Sequence, residues 1–154
     1  MSQLPSEDLL SAKHVMEYPY RRSLGPVLSR FFTGLRDRRI EGVRTRAGRV
    51  LVPPSEYDPD TGDATEDFVE VGPGGVVKSW AWVQSPRTQH PLQQPFAFAL
   101  IQLDGADTCM LHAVDPGAAG ESGMSSGMRV TPRWAAETVG HIHDISCFTP
   151  EDPS

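Results

Sequence analysis

The histidines are the residues of this sequence whose types and spacing most readily favour chemistry. His141 and His143 lie two apart in a segment that predicts a strand over residues 142–148, so they share a face and could hold a metal together. Cys147 lies roughly 13 Å beyond His143 along a strand, so one metal cannot reach all three residues. The alternative is a partly exposed terminal strand that carries histidines without a ligand. His112 lies on an apolar strand pattern, which is typical of a core histidine.

Motifs for nucleophilic or metal-assisted catalysis are missing from the sequence. It contains no GxSxG, no HExxH and no clustered pair of carboxylates on a predicted helix. The glycine-rich run 72–75 joins two predicted strands, and a phosphate cradle needs a helix start behind it, so we predict a turn there. We therefore predict no catalytic residue and no turnover by the chain alone.

Aromatic side chains form two pairs with strand spacing, and each pair projects from one strand face. Such pairs could line a ligand or base-stacking surface, or they could fill the interior of a barrel. Together with the strand histidine they are the candidate ligand surface: Trp80, Trp82, Phe96, Phe98 and His112.

Charge is distributed unevenly along the chain. The net charge of −6 argues against nucleic acid as the main ligand. Residues 21–49 nevertheless hold nine arginines and two acids, a net of +7, whereas residues 50–72 hold seven acids and no Lys or Arg. Arginine suits bidentate contacts with phosphate or carboxylate, so this window predicts either a binding surface or a solvated face paired with the acidic stretch.

The length of 154 residues predicts one compact unit with small appended elements. Apolar residues at three- and four-residue steps predict a helix over 23–39, capped by Ser23, after an arm over 1–20. The remaining predicted elements are strands: 40–45 and 49–52 around a tight turn, then 66–71, 76–84, 96–103, 108–114, 129–133 and 142–148, with a Gly/Ser-rich loop over 116–127.

This order of elements predicts a mainly β fold, an OB-type Greek-key barrel of five or six strands preceded by a helix. The predicted divisions are an arm and helix over 1–39, a ribbon hairpin over 40–63, the barrel over 64–150 and a tail over 151–154. The longest apolar stretch, 96–101, is too short to span a membrane. Two cysteines without CxxC spacing, and no secretory signal at the start, favour a reduced cytoplasmic protein.

Four segments in this order resemble one family. They are the Phe-Phe-Thr-Gly-Leu run at 31–35, the double proline at 53–54, the segment 95–108 (PFAFALIQLDGADT) and Gly-Met-Arg-Val at 127–130. Over residues 20–150 the chain resembles the acyl-CoA-associated zinc-ribbon/OB-fold family, also called domain of unknown function 35. The resemblance implies a helical arm, a rubredoxin-like ribbon and an OB barrel. It also implies a small subunit that accompanies a thiolase, a lipid-transfer-type aldolase or an acyl-CoA hydratase, while the partner carries the chemistry.

The sequence departs from the family pattern at the ribbon. The family has CxxCG before the double proline and CPxCG after it, whereas residues 44–48 are RTRAG and residues 58–62 are DPDTG. The four cysteines are replaced by Arg44, Ala47, Asp58 and Thr61. Structural zinc needs a closed set of Cys or His ligands, so we predict a degenerate ribbon without zinc. Hairpin pairing, proline stiffness and an Arg44–Asp58 pair would hold it instead.

The resemblance thus implies a non-catalytic accessory subunit of a complex that processes lipid or steroid thioesters, with no tightly bound cofactor and with a CoA thioester as a shared ligand. An apolar stripe beside arginines predicts a partner interface at Phe31, Phe32, Leu35, Arg36, Arg38 and Arg39. The candidates for binding CoA phosphates are Arg44, Arg46 and Arg49. The alternative function is a stand-alone OB-fold module that binds nucleic acid or a small ligand. We predict no membrane partner.

Overall fold

The computed structural model describes residues 11–152, which form a three-stranded sheet and a closed five-stranded barrel. The elements are α1 (Pro26–Arg36), β1 (Ile40–Arg44), β2 (Val50–Leu51), β3 (Asp67–Val71), β4 (Gly75–Val83), β5 (Phe96–Leu103), β6 (Met110–Val114), β7 (Arg129–Trp134) and β8 (Ile145–Pro150), with 3₁₀ segments at Gly117–Gly123 and Ile142–Asp144. The strand orders are β2-β1-β3 and β4-β5-β6-β8-β7. The predicted mainly β fold with one helix before the barrel is confirmed.

Two predicted segments extend beyond the described residues. The arm lies outside them over 1–10, and the tail over 153–154. Residues 11–24 have no regular secondary structure, and each of them is exposed. Within residues 11–152, no helix has the length and apolar character needed to cross a membrane.

The interior of the barrel is set by strand alternation along β5. Ala97 and Ala99 point inward, and the cross-strand register places Trp82 opposite Ala97 and Trp80 opposite Ala99. Residues directly opposite in an antiparallel pair share a face, so the two small alanines leave room for the two indoles inside. On the other side of β5, His112 faces Ala99. The two tryptophans therefore pack against the core, as one of the two interpretations of their spacing predicts.

Helix α1 begins later than predicted and is capped by a distant residue. Gly25 is the N-cap and makes no side-chain cap, so the predicted Ser23 cap is wrong. The Glu56 carboxylate accepts hydrogen bonds from the backbone N–H groups of Val27 (3.4 Å) and Leu28 (3.2 Å) instead. These donors have no partner within the helix, and a carboxylate also interacts favourably with the positive end of the helix dipole.

The apolar face of α1 belongs to the chain's own core. Phe31 and Leu35 are fully buried in the main core cluster, and Phe32 is partly buried against it. The Gly140 backbone also approaches the carbonyl of Phe32. The prediction that Phe31, Phe32 and Leu35 form an exposed interface is therefore wrong, because the apolar stripe covers the barrel of the same molecule.

The ribbon is larger than predicted. β1 pairs with β2, as the predicted hairpin requires, but β3 also pairs with β1, from Ile40 opposite Val71 to Arg44 opposite Asp67. The predicted boundary at residue 63 assigned β3 to the barrel and needs correction. The ribbon sheet extends to Val71, and the barrel begins at β4.

A side-chain latch joins the ribbon to the barrel. The Asp107 carboxylate accepts from the Val50 N–H at 2.8 Å, and the Asp107 N–H donates to the Val50 carbonyl at 2.9 Å. The Thr108 hydroxyl accepts from the Val52 N–H at 2.7 Å and donates to the Val52 carbonyl at 2.9 Å. The turn after β5 thus provides hydrogen-bond partners for backbone groups at the unpaired edge of β2. We call Val50, Val52, Asp107 and Thr108 the ribbon latch.

The strand predicted over 142–148 is observed only from Ile145 onward, as β8, because residues 142–144 form a 3₁₀ turn. The Asp144 side chain is buried and accepts from three successive backbone N–H groups, those of Val139 (2.9 Å), Gly140 (2.7 Å) and His141 (3.1 Å). Burial opposes ionisation of Asp144, but the three N–H donors outweigh it and hold its pKa below the usual value. We call this arrangement the Asp144 nest.

Candidate functional site

Each of the three ribbon arginines proposed for phosphate binding already has an aspartate partner. The pairs are Arg44–Asp67 at 3.5 Å, Arg46–Asp63 at 3.6 Å and Arg49–Asp60 at 3.4 Å. All six side chains are largely exposed, so each pair contributes little to stability. The pairs neutralise the ribbon face, and a phosphate there would have to compete with three carboxylates.

The predicted Arg44–Asp58 pair is wrong. Asp58 is buried, and its Oδ1 accepts from the backbone N–H of Asp60 at 2.9 Å. The Gly62 N–H donates to the Asp58 carbonyl, which closes a compact turn. Gly48 and Gly62 both have positive φ, so the two knuckle turns keep the backbone conformation that glycine favours.

The donor set between these two knuckles does not fit zinc. Arginine and alanine offer no ligand at two of the four positions, and Thr61 offers a neutral hydroxyl. Asp58 is the one carboxylate of the four, and it is engaged with its own turn. Within the described residues, no three His, Cys, Asp or Glu side chains are close enough to hold a metal together. The absence of zinc in solution remains a prediction.

A second group of arginines lies at the end of α1. Arg36, Arg38 and Arg39 are exposed, as a binding role requires. Arg36 and Arg39 share Asp37, with N–O distances of 3.5 and 3.7 Å. Arg38 has a φ of 58°, a left-handed conformation that non-glycine residues rarely adopt. These three arginines remain candidates for contact with a partner's acids.

A helix–ribbon groove with a volume of about 450 Å³ lies between α1 and the ribbon. It is lined on the helix side by Val27 and Arg30 and on the ribbon side by Tyr57 and Phe68. The Arg30 guanidinium lies 4.0 Å from the centre of the Phe68 ring and bonds the buried Glu41 carboxylate at 2.9 Å. The burial of Glu41 was not predicted from sequence, because an acidic residue within an arginine-rich segment is expected to be exposed.

The two phenylalanines of β5 lie outside the barrel. Phe96 is fully buried and Phe98 partly buried in a separate cluster with Ala113 and Cys147, and the two rings are 4.9 Å apart. The loop over 85–95 covers them, with His90 edge-on to both rings. Phe96 is therefore not part of a ligand surface, and neither phenylalanine fills the barrel interior.

A groove at one end of the barrel joins Trp82 to residues that sequence analysis missed. Its volume is about 400 Å³, and Gln94, Asp115 and Gly117 line it opposite the indole. The Asp115 carboxylate is nearly buried and accepts from the Gln94 amide (3.2 Å), the Gly117 N–H (2.9 Å) and Arg133 (3.3 Å). These bonds tie the loop over 85–95 and the segment after β6 to Arg133 of β7, and no local pattern in the sequence predicts such a long-range network.

Three of the five histidines form hydrogen bonds with the backbone close to them. His90, His112 and His141 each use Nδ1 to accept a nearby backbone N–H. Burial lowers the pKa of His112, although backbone groups at Ile142 and Ala113 partly oppose the shift, so its imidazole is neutral at pH 7. The rings of His141 and His143 lie 4.6 Å apart and both residues are exposed, whereas Cys147 is buried.

Comparisons with known proteins agree with the barrel. Residues 68–135 match the model of the C-terminal OB-fold domain of ChsH2, and this match contains β4 to β7 in full. This barrel is an OB fold. β8, which closes the barrel, follows the matched segment.

Two solved structures share the fold of the chain. A DUF35-family protein of unknown function from Sulfolobus solfataricus matches with a TM-score of 0.58 and 23% identity, over 71% of this chain and 77% of that one. An Ltp2-ChsH2(DUF35) aldolase matches with a TM-score of 0.60 and 22% identity, over 84% of this chain and 98% of that one. No curated protein is similar enough in sequence to match.

Proposed function

We propose that this chain is a non-catalytic accessory subunit of an enzyme complex that processes acyl-CoA thioesters of lipids or steroid side chains. The partner that fits best is a lipid-transfer-type aldolase, with thiolase-like enzymes and acyl-CoA hydratases as the other candidates. The observation that carries the proposal is the match of residues 68–135 to the C-terminal OB-fold domain of ChsH2, a protein that forms an aldolase with Ltp2 in a structural neighbour.

The described residues support a binding role and not a chemical one. The histidines that accept backbone N–H groups through Nδ1 are held by their own turns and strands. A general base must reach the proton that it removes, and no such pairing with a hydroxyl or thiol is among the hydrogen bonds of residues 11–152. The chain would therefore stabilise its partner and shape the edge of the partner's active site.

Arginines are the residues that would contact the shared ligand or the partner. Arg36, Arg38 and Arg39 stand free of the core at the end of α1, so they suit the acids of a partner surface. The ribbon arginines at 44, 46 and 49 suit CoA phosphates, with the aspartate partners as competitors. Alanine variants of each group separate the two roles, because one should weaken the complex and the other the affinity for CoA.

Co-expression with a lipid-transfer-type aldolase subunit from the same source tests the proposal. We expect the two chains to elute together from a sizing column, and we expect the aldolase to lose solubility or turnover without its companion. The isolated chain should cleave no CoA thioester. Turnover by the isolated chain, abolished by His112→Ala or His143→Ala, would contradict the accessory role. An aldolase whose solubility and turnover are the same with and without the chain would also contradict it.

The alternative, a stand-alone nucleic-acid module, has less support in the structure. Both tryptophans face the barrel interior, and the ribbon arginines are paired with acids. Binding to phosphates weakens steeply with salt. A salt series with single-stranded DNA therefore separates the two functions: tight, salt-sensitive binding would favour the alternative.

A further inference from the structure

Exposed apolar side chains are concentrated in the segment that precedes α1. Every residue from 11 to 24 is exposed, and this stretch includes Val15, Met16, Tyr18, Tyr20 and Leu24. Tyr18 and Tyr20 are 75% and 82% exposed, and among the other large apolar residues of 11–152 only Val139, at 75%, is as exposed as Tyr18. The folded body of the chain leaves these side chains uncovered, although it buries the neighbouring face of α1.

The spacing of these side chains favours binding in an extended form. Met16, Tyr18 and Tyr20 alternate along the chain, so they project from one side of an extended segment. Pro19 holds the preceding Tyr18 in the extended region of backbone space, which lowers the entropy lost on ordering. Tyrosine adds a large contact area with few rotatable bonds, and aromatic residues are enriched in protein interfaces.

The charge of the same segment indicates the chemistry of its partner. Residues 11–24 contain Lys13, Arg21 and Arg22 against the single acid Glu17, a net charge of +2. The chain as a whole carries −6. An apolar cleft with an acidic rim complements such a segment, because apolar anchors supply affinity and opposite charges speed encounter.

We propose that residues 13–22 are a docking arm, which binds in extended form to an apolar cleft with an acidic rim on the catalytic partner subunit. This inference rests on the proposed function and adds to it the surface through which the partner is held. The core location of the α1 face strengthens the assignment, since Phe31 and Leu35 are not available for that contact.

The test uses the full chain and the co-expressed lipid-transfer-type aldolase subunit. The arm variant is Tyr18→Ser with Tyr20→Ser, and the matched control is Leu111→Ser with Val139→Ser, two side chains of similar exposure outside the arm. Since all four are exposed, both variants should keep the thermal stability of the parent chain. We expect the arm variant to bind the aldolase at least about tenfold more weakly, and the control to bind within about threefold of the parent.

Two further measurements report on the arm itself. Trypsin should cleave the free chain after Arg21 or Arg22, and cleavage there should slow about tenfold in the complex. Arg21→Ala with Arg22→Ala should lower the association rate and flatten its dependence on salt.

The outcomes of these experiments distinguish a failure of the docking arm from a failure of the proposed function. Equal binding by the arm variant and the parent would overturn the docking arm and leave the accessory role intact. Dimers of the free chain that dissociate in the arm variant would assign the arm to a second copy, and would also overturn it. If the parent chain does not bind the aldolase at all, the proposed function fails and the arm's role fails with it.

Discussion

At the scale of single residues, Asp144 stabilises the chain through its charge. Its buried carboxylate satisfies three backbone donors, so Asp144→Asn leaves at least one of these donors facing the amide NH₂ group. We expect the free energy of unfolding at pH 7 to fall by about 1–3 kcal/mol in a urea titration. Glu137→Gln, an exposed neighbour, should leave it within about 0.5 kcal/mol of the parent.

The same residue predicts a pH dependence. Because the folded chain holds the pKa of Asp144 below its usual value, the ionised form contributes stability above pH ~4, and this contribution is lost as the pH falls through the lowered pKa. The difference between the parent chain and Asp144→Asn should therefore shrink in urea titrations at pH 3. A difference that grows on acidification would contradict the nest.

Arg38 has a left-handed backbone conformation that is unfavourable for a residue other than glycine. The N–H groups of Arg39 and Arg38 donate to the carbonyls of Gly34 and Leu35, which is a Schellman ending with Arg38 in the left-handed position that glycine usually fills. Arg38→Gly should raise the free energy of unfolding by about 0.5–1 kcal/mol in a chemical denaturation. Arg36→Gly, inside the last helical turn, should lower it by about 1 kcal/mol. A loss of stability in both variants would exclude strain at Arg38.

At the scale of elements, the ribbon keeps its two knuckle turns without the cysteines of the family pattern. We expect a tag-free preparation to contain less than about 0.1 zinc per chain by metal analysis, and a chelator to leave its melting temperature unchanged. Restoring cysteines at positions 44, 47, 58 and 61 is the positive control, since both knuckles retain the glycine that follows the last cysteine. Stoichiometric zinc in the parent chain, with unfolding on chelation, would contradict this prediction.

Elements with local signals were predictable from sequence. β5 was predicted with its observed bounds, because alternation and the Asp104-Gly105 turn are local features. β3 was assigned to the wrong sheet because its pairing with β1 is long-range. The residues of a strand do not indicate which other strand it pairs with. The burial of the α1 face could not be predicted for the same reason. Apolar residues at three- and four-residue steps are typical of both a core and an interface, and the barrel strands that cover them are distant in sequence.

The candidate site was less predictable than the fold for a related reason. Glu56, Asp115 and Asp144 each bind backbone or side-chain donors that depend on tertiary structure, so residue type alone gave no signal. The arginines were found from composition. Their aspartate partners determine how much positive charge remains for a ligand, and these pairs form only where the folded chain brings the loops together. By contrast, residues 11–20 of the predicted arm have no regular secondary structure, and Pro19 is a local signal for that.

At the scale of the whole molecule, the ribbon latch couples two sheets with separate hydrogen-bond ladders. Thr108→Val keeps the shape of the side chain but removes both bonds to Val52. We expect it to cost about 1–3 kcal/mol and to speed amide exchange in β1 and β2 while β5 stays protected. Thr88→Val, in an exposed loop, serves as the control. Uniformly faster exchange across both sheets would mean that ribbon and barrel unfold as one unit.

The strand order of the barrel has a consequence for synthesis on the ribosome. β8 lies between β6 and β7, yet it is the last of the five in chain order. Until it emerges from the exit tunnel, the nascent sheet has two open edges, and open edges invite pairing with other chains. A partner or chaperone that meets the growing chain would find α1 and the ribbon complete while the barrel still lacks its closing strand.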